Sequence, residues 1–180
     1  YIPYSDWWVE RWTNAFIPAL DSLRLLGVAA DIVPYIPPKG EEILPYYPMS
    51  LNEEELEYLL DRKLVLVLPG IAGMQDTDSI LLRTFVERGG VAILFGPRIP
   101  YGDRFKREDL CGGEEKSSGR HSSVEVKKRI YNRVNPGTKF VFRPSDFSSW
   151  IPTTATAVAS FEDGSAAVLV NRFGKGTVVT

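Results

Sequence analysis

Two short apolar runs frame the most regular stretch of this chain. Residues 64–68 (Leu-Val-Leu-Val-Leu) are apolar at every position and end at Pro69-Gly70. Val91–Phe95 is equally apolar and ends at Gly96-Pro97. Strands without a polar position are those buried on both faces of a parallel sheet. Between the runs, Ile80, Leu81, Thr84, Phe85 and Arg88 recur at helical spacing. Asp76 or Thr77 is placed to cap that helix, and Gly89-Gly90 to end it. A helix that crosses between two buried strands predicts parallel pairing through a right-handed connection.

The flanking segments give weaker patterns. Residues 6–26 predict a helix, with Phe16, Ala19, Leu20, Leu23 and Leu26 on one face and Gly27 as its stop. Pro18 removes a helix hydrogen bond, so a kink or a new helix start is expected there. Residues 29–33 predict a short strand. Residues 34–50, with Pro34, Pro37, Pro38, Pro45 and Pro48, predict a long surface loop. Ser50-Leu51-Asn52-Glu53 is a capping box that starts a helix running to about Leu60. Residues 97–123 are polar and rich in Gly and Ser, and predict irregular structure with a mobile tip at Ser117-Ser118-Gly119. Residues 124–133 suggest a short helix and residues 139–142 a strand. Thr156–Phe161 and residues 166–170 flank Glu162-Asp163-Gly164, an Asp-Gly hairpin signal. Gly174-Lys175-Gly176 makes a second tight turn before a last strand pattern.

The 180 residues suffice for one domain with a real core. The hydrophobic share of 44% and charged share of 24% are those of an ordinary globular chain. No apolar run reaches the roughly 18 residues of a membrane-spanning helix, so no membrane role is expected. No signal peptide is visible, and the chain opens without Met, which suggests a domain cut from a longer protein. One cysteine, Cys111, excludes an internal disulfide, and there is no Asn-X-Ser/Thr sequon. Both lean towards an intracellular or a simple extracellular setting, the cytoplasm first.

The net charge of −2 divides unevenly. Residues 1–90 carry 7 basic and 14 acidic side chains, and residues 91–180 carry 14 basic and 9 acidic. Much of the positive charge lies between Arg98 and Arg143. A solvated face complementary to the acidic half accounts for it. No nucleic-acid-binding motif accompanies it, so no nucleic-acid partner is expected.

The inventory of reactive groups is short. His121, the one histidine, falls in the Gly/Ser-rich stretch, where a catalytic base would lack an orienting partner. Cys111 precedes Gly112-Gly113 in the same stretch. One His and one Cys exclude the common zinc sites. The acidic runs at Glu41-Glu42 and Glu53-Glu54-Glu55 read as solvated surface and helix-dipole complement. Gly174-Lys175-Gly176-Thr177 lacks the upstream glycine of a phosphate loop, since position 169 is Leu, and a strand follows it. No cofactor is therefore expected, and no catalytic residue. The remaining candidates lie in loops at the carboxyl ends of the parallel strands, where open α/β sheets bind ligands. Arg98, Tyr101 and Asp103 are candidate ligand residues there. Trp7 and Trp8 join them if residues 1–4 end a strand, because exposed aromatics stack on sugars and anchor interfaces. Packing against the first helix is the other role open to this pair.

Residues 64–70, then residues 81–95 with Phe85-Val86-Glu87-Arg88-Gly89-Gly90, resemble class I glutamine-amidotransferase-like domains. In particular they resemble the β-galactosidase trimerisation domain of glycoside hydrolase family 42 and related archaeal exo-glucosaminidases. The tail is similar too, in Ala159-Ser160-Phe161-Glu162-Asp163-Gly164, Ala166-Ala167-Val168 and Asn171-Arg172-Phe173-Gly174-Lys175-Gly176. Trp7-Trp8 and residues 23–33 also resemble that domain, whereas residues 97–150 resemble it least.

The resemblance implies an α/β fold: a flavodoxin-like open, mostly parallel sheet with helices on both faces and a C-terminal antiparallel hairpin. It implies one domain over residues 1–180, belonging to a longer chain. Amidotransferases place a nucleophilic Cys at the turn after a strand, but here that turn is Gly96-Pro97-Arg98, so the family's triad has no positions to occupy. The resemblance thus implies a non-catalytic domain of a glycoside hydrolase, mediating oligomerisation or shaping the sugar site. Its expected partners are a TIM-barrel catalytic domain of the same chain, further copies of itself and a carbohydrate. A stand-alone carbohydrate- or protein-binding module is the alternative. A degenerate amidotransferase-like enzyme is disfavoured by the missing Cys-His pair.

Overall fold

A computed structural model describes residues 17–27, 53–62, 65–69, 76–95, 107–116, 118–129 and 134–180. The helices among them are α1 (Ile17–Leu25), α2 (Glu53–Asp61), α3 (Asp76–Glu87) and α4 (Arg107–Cys111). The strands are β1 (Val65–Pro69), β2 (Val91–Phe95), β3 (Gly113–Glu115), β4 (Gly119–Val126), β5 (Lys139–Phe147), β6 (Trp150–Pro152), β7 (Thr156–Phe161), β8 (Ala166–Phe173) and β9 (Gly176–Val179). One sheet joins them in the order β1-β2-β9-β8-β7-β4-β5, with β6 paired to β8 and to β3.

The β1–α3–β2 unit forms as its spacing predicts. Val65 stands beside Val91 and Pro69 beside Phe95 in parallel register. β9 then adds parallel to β2, with Ala92 opposite Val178. The remaining pairings described are antiparallel. The expectation of a mostly parallel, flavodoxin-like sheet is therefore corrected: the sheet is mixed and strand-dominated. Tight turns join the antiparallel pairs β7–β8 and β8–β9, whereas each parallel pair needs a long crossover.

Burial in the apolar strands follows one face. Ala92 and Leu94 are buried, while Val91 and Ile93 are half-buried and Val65 is half exposed. The α3 stripe is also rotated from the predicted one. Leu82, Phe85 and Val86 are fully buried at i, i+3, i+4, whereas Ile80 and Arg88 are exposed. These three pack with Leu68, Ala92, Leu94, Leu169 and Val178, and α4 adds Leu110 and Cys111 to the same core. α3 and α4 thus share one core.

Other local expectations fare unevenly. α1 ends at Leu25, and Gly27 just beyond it, at φ +69°, is the left-handed stop that glycine takes without steric cost. Ala19, Leu20 and Leu23 are its partly buried side, and Leu26 is exposed. α2 runs to Asp61, close to the predicted end. Residues 29–33, the loop over 34–50 and the capping residues Ser50–Asn52 lie outside the described residues. Residues 107–115, expected to be irregular, hold α4 and β3, and residues 124–126 belong to β4 and not to a helix.

Candidate functional site

The parallel strands β1 and β2 end together, at Pro69 and Phe95, so the loops after them leave from one edge of the sheet. The candidate ligand residues Trp7, Trp8, Arg98, Tyr101 and Asp103 lie outside the described residues, as do the loops 70–75 and 96–106.

The most concentrated polar arrangement described is at the opposite side of the sheet, where β4 meets β7. The pairing of β4 with β5 shifts register between His121 and Ser123. On the other side of β4 the ladder with β7 ends at Val124 and Phe161, so Ser122 and Ser123 lie just past it and their donors have no partner on β7. Glu162, the first residue of the β7–β8 turn, supplies the acceptor. Its Oε1 takes the Ser122 N–H at 2.8 Å and the Ser122 hydroxyl at 3.1 Å. Its Oε2 takes the Ser123 N–H at 3.1 Å. Its own backbone N–H and that of Ser122 hold the Glu162 carboxyl down to about 2, against a weaker opposing effect of desolvation. Next to it, Asp163 Oδ1 accepts the Ser165 hydroxyl at 2.6 Å and the Ser165 N–H at 2.9 Å. The Ser165 hydroxyl is the first cause that lowers its carboxyl from the ordinary range. Gly164, at φ +84°, completes the turn, as its Asp-Gly sequence predicts.

His121 is the neighbour of this turn. It lies on β4 and is 5% exposed, not on a floppy loop. Its ring stacks on Phe161 with centroids 3.8 Å apart and planes within 10°. Phe147 leans on the same Phe161 at 5.9 Å, and Phe142 meets Phe147 edge-on at 5.2 Å. The Nε2 atom is buried without a hydrogen-bond partner among the described residues. A catalytic base needs a nucleophile on one nitrogen and an orienting acceptor on the other. Ser122 and Ser123 turn their hydroxyls to Glu162 instead. A carboxylate ionised down to about 2 cannot act as a proton donor near neutrality. The arrangement is that of a structural clamp.

A second polar knot joins α4 to the C-terminal strands. Asn171 is buried on β8, donates from Nδ2 to the Leu110 carbonyl at 2.9 Å and accepts the Thr154 hydroxyl at 3.3 Å. The Gly112 carbonyl accepts the N–H groups of Thr153, Thr154 and Ala155 at 2.9–3.0 Å. Cys111, expected in a loop, is the last residue of α4 and fully buried.

The Gly174-Lys175-Gly176 turn lies against the C-terminal end of α3. Lys175 N donates to the Glu87 carbonyl at 2.9 Å, and Thr177 N to the Gly90 carbonyl at 3.1 Å. A Cβ at Gly174 would meet Glu87 backbone at 2.7 Å, and one at Gly176 would run into the carbonyl oxygens of Val86 and Gly90. Arg83 covers the Phe173 ring at 4.9 Å. The two stretches that carry the sequence resemblance, Phe85–Gly90 and Phe173–Gly176, are thus in contact. Gly174 and Gly176 are there for close backbone approach, not for phosphate.

Among the described residues, no group of three or more His, Cys, Asp and Glu side chains is placed to hold a metal ion. No helix among them is long and apolar enough to cross a membrane. Sequence reasoning passed over Glu162 as a mere turn residue. Its serine partners stand about 40 positions earlier, and no local signal links the two.

No family model and no curated protein matches this chain. Solved structures are similar to parts of it. An exo-β-1,4-mannosidase, Op5Man5 from Opitutaceae bacterium strain TAV5, aligns with 64% of this chain and 20% of its own, at 19% identity and TM-score 0.45. A β-galactosidase from Bacillus circulans sp. alkalophilus aligns with 64% of this chain and 18% of its own, at 14% identity and TM-score 0.42. A putative ThuA-like protein from Bacteroides uniformis ATCC 8492 aligns with 69% of this chain and 61% of its own, at 15% identity and TM-score 0.48. The chain spans about a fifth of the length of the two glycosidases it resembles. With every TM-score below 0.5, these are likenesses of partial folds and assign no activity.

Proposed function

We propose that this chain is a non-catalytic domain of a glycoside hydrolase of the β-galactosidase or exo-glucosaminidase type, which mediates oligomerisation or shapes the sugar site beside a TIM barrel. The observation that carries the reading is the contact between Phe85–Gly90 and Phe173–Gly176. The resemblance rests on the order and spacing of motifs far apart in the chain, and these two pack on each other at Gly174 and Gly176, where a Cβ would run into backbone of Val86, Glu87 and Gly90. The reactive groups described agree with a non-catalytic role. His121 is buried in an aromatic stack, Glu162 is occupied by four donors, and Cys111 is enclosed in the core.

Light scattering across a concentration series tests the assembly role. A dimer or trimer that persists on dilution supports it. A strict monomer removes self-association by this domain and leaves the sugar-site role, which is read by whether added galacto- or glucosamine oligosaccharides shift the thermal midpoint.

A further inference from the structure

The basic charge of the second half is gathered on one feature of the fold. Residues 119–147, the β4–β5 hairpin and its connection, contain seven Lys and Arg against Glu125 and Asp146, a balance of +5. The whole chain is −2, so the rest carries −7. The strand order puts β5 at one end of the sheet, which makes this hairpin a basic rim on an acidic body. Arg120, Lys127, Lys128, Arg129, Lys139 and Arg143 are all exposed. Lys127 pairs with Glu125 at 2.8 Å, and it is the one of the six with an ion pair among the described residues. Phe140 and Val141 on the same strand are 52% and 77% exposed.

A strand partner does not fit this rim. Pro144 cannot donate to a new neighbour, the register break distorts the edge, and Lys139 and Arg143 are the charges that protect edges from pairing. A flexible polyanion does fit. It needs exposed, unpaired cations spread along a surface and an aromatic face to lie on, and it makes no demand on the strand backbone. Nucleic acid is the weaker match. Duplex DNA carries about one charge per 1.7 Å, and a chain with an acidic body presents too little basic surface for it. A polysaccharide with one carboxylate per sugar is less dense in charge, and sugar rings lie well on an exposed phenyl.

We propose that the β4–β5 rim binds an anionic polysaccharide that wraps over the edge strand, with Lys128, Arg129, Lys139 and Arg143 meeting its carboxylates and Phe140, on the face of β5 opposite Lys139, meeting a sugar ring across the edge. The choice of a polysaccharide rests on the proposed glycosidase role. The test is affinity electrophoresis and fluorescence anisotropy of the full 180-residue chain with polygalacturonate, neutral galactan and single-stranded DNA as probes. Polygalacturonate is expected to bind at low salt and weaken as salt rises. The double variant Lys139→Glu/Arg143→Glu is expected to lose about tenfold or more in affinity, with its urea midpoint lowered only slightly, by the like-charge pair that Lys139→Glu makes with Glu125 across the strands. Phe140→Ala is expected to lower affinity with the salt slope retained. Absence of polygalacturonate binding, equal binding by the charge-reversed variant, or tighter binding of DNA overturns the proposal. Galactan binding and the light-scattering mass, read on the same samples, report on the glycosidase role separately.

Discussion

Glu162 holds Ser122 by both its backbone N–H and its hydroxyl, at 2.8 and 3.1 Å, from a turn that follows it by 40 residues. The side chain thereby does the work of a strand partner where the β4–β7 ladder ends. Glu162→Gln keeps the shape but offers one acceptor oxygen where two are used, so a lower urea midpoint is expected. The pH dependence separates charge from shape. The folded carboxyl titrates at about 2, against an ordinary value of 4.5. Its stabilisation is therefore complete above the ordinary value and is lost as pH falls towards 2. The gap between wild type and Glu162→Gln should be constant from neutrality to about pH 5.5 and close below about pH 4.5. A gap that persists to pH 2 would show that the amide, and not the lost charge, is the cause.

The contact of the β8–β9 turn with α3 predicts a contrast among glycines. Gly174 and Gly137 both have positive φ, +59° and +86°. A Cβ at Gly137 meets nothing within 4 Å, whereas one at Gly174 meets Glu87 backbone at 2.7 Å. Both alanine variants carry the left-handed penalty of about 1–2 kcal/mol. Gly174→Ala should cost about 1–3 kcal/mol more than Gly137→Ala, because backbone has to move. Urea denaturation of the two variants measures that difference. Equal costs would mean that the turn does not bear on α3.

Residues 65–95 were legible because strand, helix and strand each carry their own period, and the turn glycines 27, 89 and 164 do take positive φ. β4 was not. Its sequence, Gly-Arg-His-Ser-Ser-Val-Glu-Val, buries His121 and Ser123 and leaves Val124 half-buried, the reverse of a hydrophobic pattern. Those polar positions are tolerated inside because Glu162 and Phe161 come from β7 and its turn to meet them. β5 was legible as a strand over residues 139–142, but that its apolar Phe140 and Val141 face solvent at the sheet edge was not. The mixed sheet follows from the same cause: which strand lies beside which is set by contacts between residues far apart, and no local period encodes them. The candidate site residues were chosen by their place after strands, and a strand end fixes only where a loop begins.

Asn171 is expected to be the most costly polar substitution in the C-terminal half. Asn171→Leu leaves the buried Leu110 carbonyl without its donor and the Thr154 hydroxyl without its acceptor. A loss of about 1–3 kcal/mol is expected. Thr154→Val removes the weaker, 3.3 Å bond and should cost less, about 0.5–1.5 kcal/mol. The two share one bond, so the double variant should be milder than the sum of the singles by about 0.5 kcal/mol or more. Strict additivity in urea denaturation would mean that Asn171 and Thr154 act independently.

His121 should be replaceable with profit to stability. Its ring is held by the Phe161 stack, and its Nε2 is buried against Gly119 with no acceptor or donor in reach among the described residues. A buried polar atom without a partner costs on the order of 1–3 kcal/mol. Phenylalanine keeps a flat ring of similar size and can keep the stack, while removing that atom. His121→Phe is therefore expected to raise the urea midpoint, by about 1 kcal/mol once tighter packing near Gly119 is allowed for. A stabilised variant with unchanged oligomeric mass and unchanged polygalacturonate binding would place His121 among the packing residues. A destabilised one would mean that Nε2 has a partner in solution, and would make the β4–β7 junction a candidate site again.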